Sequence, residues 1–282
     1  MVVRGLLIVF SGFIFIFSPG LVVGWLTRRA GPPDRTLLLL GVAGWLIATP
    51  AGLFTTSLLR QLTVGPAEAI QQAGALALIV DAFFGALMAA LFLALTLAMI
   101  LRLRRPDPRS AASGGLALGL GAGLVAHVFT GLGLIGAGFR ILFGQPSAPM
   151  TDAMTTAPAV LLALGLLAVV LFRLSFIAVS GAAGFLLGRA RSGGARWLAA
   201  AILAYTAFPW LLSALRLATG EAQGALELRG ISPLATGLTL AYFALALSAA
   251  LAWLRGAVRP AQAPPRQLME QAASGPAASP RV

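Results

Sequence analysis

Residues 74–101 read GALALIVDAFFGALMAALFLALTLAMIL, and this stretch decides the fold. It is apolar from end to end except for one charged residue, Asp81. A helix needs roughly 20 apolar residues to cross about 30 Å of hydrocarbon. The stretch is long enough, so it predicts a transmembrane helix.

Further apolar stretches surround this one, at 5–26, 36–59, 114–139, 158–188, 197–217 and 232–254. Of the 282 residues, 59% are hydrophobic and 10% are charged. An ordinary soluble domain carries about 25% charged residues. We therefore predict an all-α bundle of about seven transmembrane helices within 1–255, with the lipid bilayer as the solvent of most side chains.

Two of these stretches need a decision. The stretch at 158–188 contains Arg173, and dividing it there leaves pieces too short to cross alone, so we predict one long helix. The stretch at 5–26 is too long for the apolar region of a signal peptide, and no small-residue cleavage site follows it. We expect it to remain as a helix.

Arginine distribution tests the number of helices, because every Lys or Arg in the chain is Arg. Alternate connections hold most of them: Arg28, Arg29, Arg35, Arg102, Arg104, Arg105, Arg109, Arg189, Arg191, Arg196, Arg255, Arg259, Arg266 and Arg281. The other side holds Arg4, Arg60, Arg140, Arg216 and Arg229. Cytoplasmic loops carry the excess of basic residues. We predict an outside N-terminus, a cytosolic C-terminus and location in a bacterial inner membrane.

The charge distribution and the Cys and His content limit which ligands and partners we expect. The net charge of +12 comes from clusters between apolar runs, not from one basic face, so we expect no nucleic-acid binding. There is no Cys, and a single His cannot build a typical zinc site, so we expect no metal and no cofactor. Residues 256–282 are rich in Pro, Ala and Gln and predict a disordered cytosolic tail.

Three ionisable residues lie inside predicted helices: Asp81, His127 and Arg173. Such residues are costly in a membrane, so each is a candidate functional residue. Asp81 and Arg173 fall at similar depths, which favours an ion pair between their helices. A carboxylate that binds a proton or substrate is the alternative, and Arg140 or interfacial water are the other partners left open for Asp81. For His127 we favour a hydrogen-bonded residue in a packed interface over a proton relay with Asp81.

Small residues recur every four positions on two helices. His127 shares a ridge with Gly115, Gly119, Gly123 and Gly131, and a second ridge holds Ser180, Gly184 and Gly188. Such ridges allow close approach of another helix backbone. We take them as exposed surfaces for other membrane segments.

Pro50 and Pro209 lie inside predicted helices and are expected to kink them. Hydroxyl-bearing residues lie near these prolines: Thr49, Thr55, Thr56, Tyr205, Thr206 and Ser213. We favour a role in bonding the backbone groups that proline frees, with a polar cavity as the alternative.

Over roughly residues 15–215, three segments carry a family resemblance. They are the pair of helices from Ser18 to Arg60, the glycine-rich run LGLGAGLVAH at 118–127, and RLSFIAVSGAAGFLLGRARSGGARWLAAAILAYTAFPW from Arg173 onward. In order and texture the chain resembles the YhfC-like family of glutamic-type intramembrane proteases, relatives of the CAAX prenyl endopeptidases. The resemblance implies a helical membrane fold.

The positions that match the family's catalytic groups hold other residues here: Ala89, Ala90, Ala122, Ala126, Phe172, Ser180 and Tyr205. Only Arg173 remains of that pattern. A glutamic protease needs a carboxylate to activate water, so the resemblance implies a non-catalytic relative and no catalytic residue is expected.

The leading hypothesis is a non-catalytic, pseudoprotease-like membrane component that binds other membrane segments, either another membrane protein or a second copy. The alternative is a small permease or proton-coupled transporter that uses Asp81, His127 and Arg173. An intramembrane protease is the third.

Overall fold

The computed structural model describes residues 2–30, 34–63, 74–104, 110–144, 158–218 and 233–258. They form helices in this order: α1 Val2–Phe17, α2 Pro19–Ala30, α3 Arg35–Thr63, α4 Ala75–Arg104, α5 Ala111–Leu142, α6 Ala159–Gly193, α7 Ala195–Ala218 and α8 Pro233–Ala257. Within these ranges, seven stretches are long and apolar enough to span a membrane, the first being Val2–Leu26. The predicted all-α fold with seven spans is confirmed, whereas the predicted tail lies almost wholly outside the described residues.

The predicted long helix is also confirmed, because α6 continues unbroken through Arg173. The first predicted stretch also forms one span, Val2–Leu26, but this span is made of two consecutive helices, because α1 ends at Phe17 and α2 begins at Pro19. Proline has no backbone N–H to donate four residues back, and this interrupts the helix at Ser18.

The two ends of the bundle differ in their number of arginines. The arginine-rich end is where α4, α6 and α8 finish, with Arg102, Arg104, Arg191 and Arg255 in their last turns. The arginine-poor end is where α3 and α5 finish and α4 and α6 begin. Arg191 donates to the carbonyl of Leu101 at 3.1 Å, which satisfies an acceptor in the last turns of α4.

Five helices form a ring in the order α3, α4, α7, α6 and α5, while α1 packs outside α5 and α8 packs outside α6. One core cluster joins all five: Leu37, Ala48, Ala90, Leu93, Ala94, Leu97, Leu101, Ala117, Leu118, Ala122, Ala183, Leu186, Leu187, Ala201 and Tyr205. Most of these residues lie in the arginine-rich half of their helices. That half of the ring is therefore filled by side chains.

Helix α5 is the most enclosed span, with 59% of its most apolar window buried against 17–39% in the others. Its glycine ridge packs antiparallel against the small ridge of α6. A Cβ added to Gly115 would overlap the Gly184 carbonyl, and one added to Gly119 would overlap the Ser180 carbonyl. Gly188 meets the backbone of residues 111–112 in the same way. We call this contact the glycine seam.

The seam corrects the expectation that these two ridges are exposed for other membrane segments. Each ridge is buried by the other, because two glycine-lined helices gain the most contact when their backbones touch. Gly131 is occupied as well: an added Cβ there would lie 2.6 Å from Cγ1 of Ile16 and 3.2 Å from the Gly12 carbonyl of α1.

The ring does not stay closed along its whole length. Near the arginine-rich end α3 packs on α5, where a Cβ on Gly121 would overlap the Leu38 carbonyl. The contacts between α3 and α4 continue further, from Gly44 against Leu97 to Gly52 against the Ala89 backbone and Gly85 near Thr56. Towards the arginine-poor end α3 therefore packs on α4.

The surface of α5 shows the same change. Ala122 faces the ring core and is fully buried. Residues 7, 11 and 14 positions further along lie on the same helix face: Phe129 is 61% exposed, and Gly133 and Gly136 are exposed with nothing within 4 Å of an added Cβ. We call the exposed positions Phe129, Gly133 and Gly136 the open face of α5, and this half of the bundle the parted half.

Candidate functional site

Asp81 lies near the start of α4 and pairs with Arg60 near the end of α3. The Nε of Arg60 donates to Oδ1 of Asp81 at 2.9 Å, and Nη2 of Arg60 donates to Oδ2. This two-pronged geometry is the strongest arrangement for a guanidinium and a carboxylate. It ties α3 to α4 in the parted half.

The favoured pair between Asp81 and Arg173 is therefore wrong. The predicted second helix ended at 59, which placed Arg60 in a connection, whereas α3 continues to Thr63. Arg60 is then one helical hairpin away from Asp81, on the adjacent helix. The sequence predicts a similar membrane depth for Asp81 and Arg173. Their side chains, however, leave their helices in different directions.

His127 is fully buried and contacts the residues at the break between α1 and α2. Its Nε2 contacts the Phe15 carbonyl and lies 3.1 Å from Oγ of Ser18, and its ring stacks on Phe15 with centroids 4.4 Å apart. The Phe15 carbonyl is the one that Pro19 leaves without a helical donor. An Nε2–H on His127 supplies that missing donor, and Ser18 adds a second bond at 3.1 Å.

Arg173 lies near the middle of α6 and has no carboxylate partner among the described residues. The described acidic residues are both engaged: Asp81 binds Arg60, and Asp34 accepts from the backbone N–H groups of Thr36 and Leu37. The Nε of Arg173 is buried without a hydrogen-bond partner. Its guanidinium lies 4.9 Å from the ring centroid of Phe172.

Helix register places His127 and Arg173 at the same level. The seam pairs Gly119 with Ser180 and Gly123 with Ile177, so the next turn brings 127 level with 173. Nδ1 of His127 is also buried without a partner. The seam thus ends in two side chains that each keep one unsatisfied nitrogen.

The side chains of His127 and Arg173 point in different directions. His127 points to α1, where its bonds are made. Arg173 lies between Ile177, which meets α5, and Phe172, which packs on Phe208 of α7 with centroids 5.7 Å apart. Arg173 is only partly buried.

The structure therefore does not bring Asp81, His127 and Arg173 into one polar pathway. Asp81 belongs to the contact between α3 and α4, and His127 belongs to the contact between α1 and α5. Of the three, His127 and Arg173 lie at one level on adjacent helices. A proton relay between Asp81 and His127 finds no connecting hydrogen bond among the described residues.

The hydroxyl groups near the prolines bond to the backbone. Thr56, Thr206 and Ser213 each donate to the carbonyl four residues earlier at 2.8–3.0 Å. Tyr205 reaches across to the Ser180 carbonyl at 3.2 Å. None of these bonds goes to the carbonyls of residues 46 and 205 that Pro50 and Pro209 free, so the favoured explanation is wrong about the acceptors.

Among the described residues, no group of three side chains is suited to hold a metal ion. Sequence reasoning overlooked Arg60, the break at Pro19 and the open face of α5. For Pro19 a signal existed, because a proline within an apolar run frees the carbonyl four residues before it.

Comparison with known proteins gives no relative. No family model, no curated protein and no solved structure matches this chain. The case for function therefore depends on the residues of the chain itself.

Proposed function

We propose that this multi-pass membrane protein is a non-catalytic component that binds another transmembrane helix through an acidic residue of that helix. The single observation that carries the proposal is Arg173, a cation near the middle of a span with no carboxylate partner among the described residues. A charge at that depth is retained at a cost, and it ordinarily pairs with an opposite charge. A partner's Asp or Glu supplies that charge.

The open face of α5 gives the partner a place to lie. Gly133 and Gly136 are exposed on a helix whose other glycines are mostly buried against neighbours. Helices associate in membranes where small residues let backbones approach. We propose that a helix seated on this face reaches Arg173, which lies level with His127, two residues before Phe129 on α5.

The remaining features of the chain agree with a binding role. The resemblance to the YhfC-like family implies a relative whose matching positions hold Ala, Phe, Ser and Tyr in place of catalytic Glu and His. Asp81 and His127 are both engaged in holding helices together. We place the protein in a bacterial inner membrane with its arginine-rich end in the cytosol, following the distribution of basic residues.

Binding of defined transmembrane peptides tests the proposal. The full chain is reconstituted with a fluorescent acceptor and titrated with donor-labelled Leu/Ala peptides that carry one central Asp or Asn. We expect at least about tenfold tighter binding of the Asp peptide, since an ion pair in the membrane is worth at least 1.4 kcal/mol. The Arg173→Glu variant should reverse this preference in favour of a central Lys.

Two further variants separate charge from shape. Gly133→Leu should weaken all peptides because it fills the open face, whereas Gly237→Leu on α8, which also has nothing within 4 Å of an added Cβ, should bind as the wild type does. Equal binding of the Asp and Asn peptides by the wild type would refute the proposal. So would an Asp preference that survives in Arg173→Leu.

A further inference from the structure

We infer a second binding site, for the phosphodiester headgroup of an anionic membrane lipid, at the junction of α6 and α7. Only Gly194 separates the two helices, and its φ of +83° gives the chain a turn that few other residues adopt. This turn folds the first residues of α7 back on the last turn of α6. The inference is independent of Arg173 and its partner.

Trp197 is the centre of the site. Its indole lies against Gly193, where a Cβ would overlap the ring, so that position must be glycine for the ring to lie there. Its Nε1 is the ring atom nearest to that position. Indole rings concentrate at membrane interfaces, with an apolar body in the hydrocarbon and a polar edge at the headgroups.

Two guanidinium groups flank this indole. The Cζ atoms of Arg189 and Arg196 each lie 5.3 Å from its ring centroid, and both side chains are exposed. Arg189 also lies 5.3 Å from the Phe185 ring, which packs edge-on against Trp253 of α8. The aromatic contacts hold the two cations beside one donor N–H.

These groups match a phosphodiester. Guanidinium groups bind phosphate oxygens with two parallel hydrogen bonds, and the indole N–H adds a neutral donor. The first turn of α7 adds backbone N–H groups and the positive end of a helix dipole. A headgroup is the occupant favoured here over free phosphate, because the half-buried Trp197 is of the residue type that lies where acyl chains meet headgroups.

The test measures binding of dioctanoyl phosphatidylglycerol to the detergent-solubilised full chain by native mass spectrometry. Replacing both cations, with Arg189→Gln and Arg196→Gln, should weaken binding by about tenfold. The matched control is Arg102→Gln with Arg104→Gln, two exposed cations in the last turn of α4 at the same end. It should change the affinity by less than about twofold, since screened charges without a shared receptor contribute little.

Two further arms complete the test. Trp197→Phe keeps an aromatic face but removes the N–H, and about threefold weaker binding is expected. Excess inorganic phosphate should not displace the lipid. The inference fails if both arginine pairs lose the same affinity, which means diffuse attraction, if Arg189→Gln with Arg196→Gln binds as the wild type does, or if free phosphate displaces the lipid.

Discussion

The two halves of the bundle use the same residue types for opposite purposes. In the arginine-rich half, Gly115, Gly119 and Gly184 are buried because each admits the backbone of a neighbouring helix. In the parted half, Gly133 and Gly136 are exposed on the same helix α5, and no described residue lies within 4 Å of a Cβ added to either. A glycine therefore allows another helix to approach closely, but only the surrounding structure shows whether a helix of the same chain already lies there.

Arginine shows the same contrast within the parted half. Arg60 has its carboxylate and joins α3 to α4, whereas Arg173 has none among the described residues. The first residue stabilises the fold, whereas the second, under the proposed function, gains its opposite charge from a partner helix. An unpaired charge inside a membrane span is by default a candidate functional site.

The largest expected effect separates the two sets of glycines. Gly184→Leu should lower the free energy of unfolding by about 3 kcal/mol, because the new side chain overlaps the Gly115 carbonyl across the seam. Gly136→Leu should change it by less than about 0.5 kcal/mol. Denaturant unfolding in mixed micelles measures both, and equal effects would remove the distinction between the halves.

The next effect has the opposite sign. Arg173→Leu should raise the free energy of unfolding by about 2 kcal/mol, because it removes an unpaired charge from the middle of a span. The same variant should lose the preference for an acidic peptide. A clear loss of stability in thermal unfolding would instead mean that Arg173 has a partner within the fold.

Replacing His127 should give a smaller loss of stability. His127→Ala should cost about 1.5 kcal/mol, since it withdraws the donor from the Phe15 carbonyl that Pro19 frees. Ser18→Ala should cost about 0.5 kcal/mol, because the His127 bond remains. Unfolding measured on both variants tests whether His127 holds the helix break, and a neutral His127→Ala would contradict this role.

The Arg60–Asp81 pair should contribute less than the His127 bond. Its side chains are 36% and 17% exposed, so solvent reduces the attraction between them. A double-mutant cycle with Arg60→Gln and Asp81→Asn should give a coupling energy of about 1 kcal/mol. A coupling near zero, together with a strong coupling between Asp81 and Arg173, would restore the pairing that the sequence favoured.

Much of the fold follows from sequence because bilayer thickness sets a minimum apolar length for every span. That rule, with alternation of arginines, predicts all seven spans and the continuity of α6 through Arg173. It says nothing of rotation about a helix axis. The two small-residue ridges were recognisable, but their burial against each other depends on which faces meet.

The candidate site was less predictable for the same reason. Depth alone favours a pair between Asp81 and Arg173. The predicted stretch ends at residue 59, a few residues before the end of α3, so Arg60 falls outside the predicted helix. The open face of α5 has no signal of its own, because Gly133 and Gly136 resemble the buried glycines in sequence. Only their neighbours distinguish them.

The most direct test of the central claim is a disulfide crosslink. The chain contains no Cys, so Gly136→Cys introduces a single thiol in the open face. A transmembrane peptide with one central Asp and one Cys nearer its end at the arginine-poor side should crosslink to it. The Asn peptide should crosslink far less, and neither peptide should crosslink to the control Gly237→Cys. Equal crosslinking of both peptides at both positions would contradict the account.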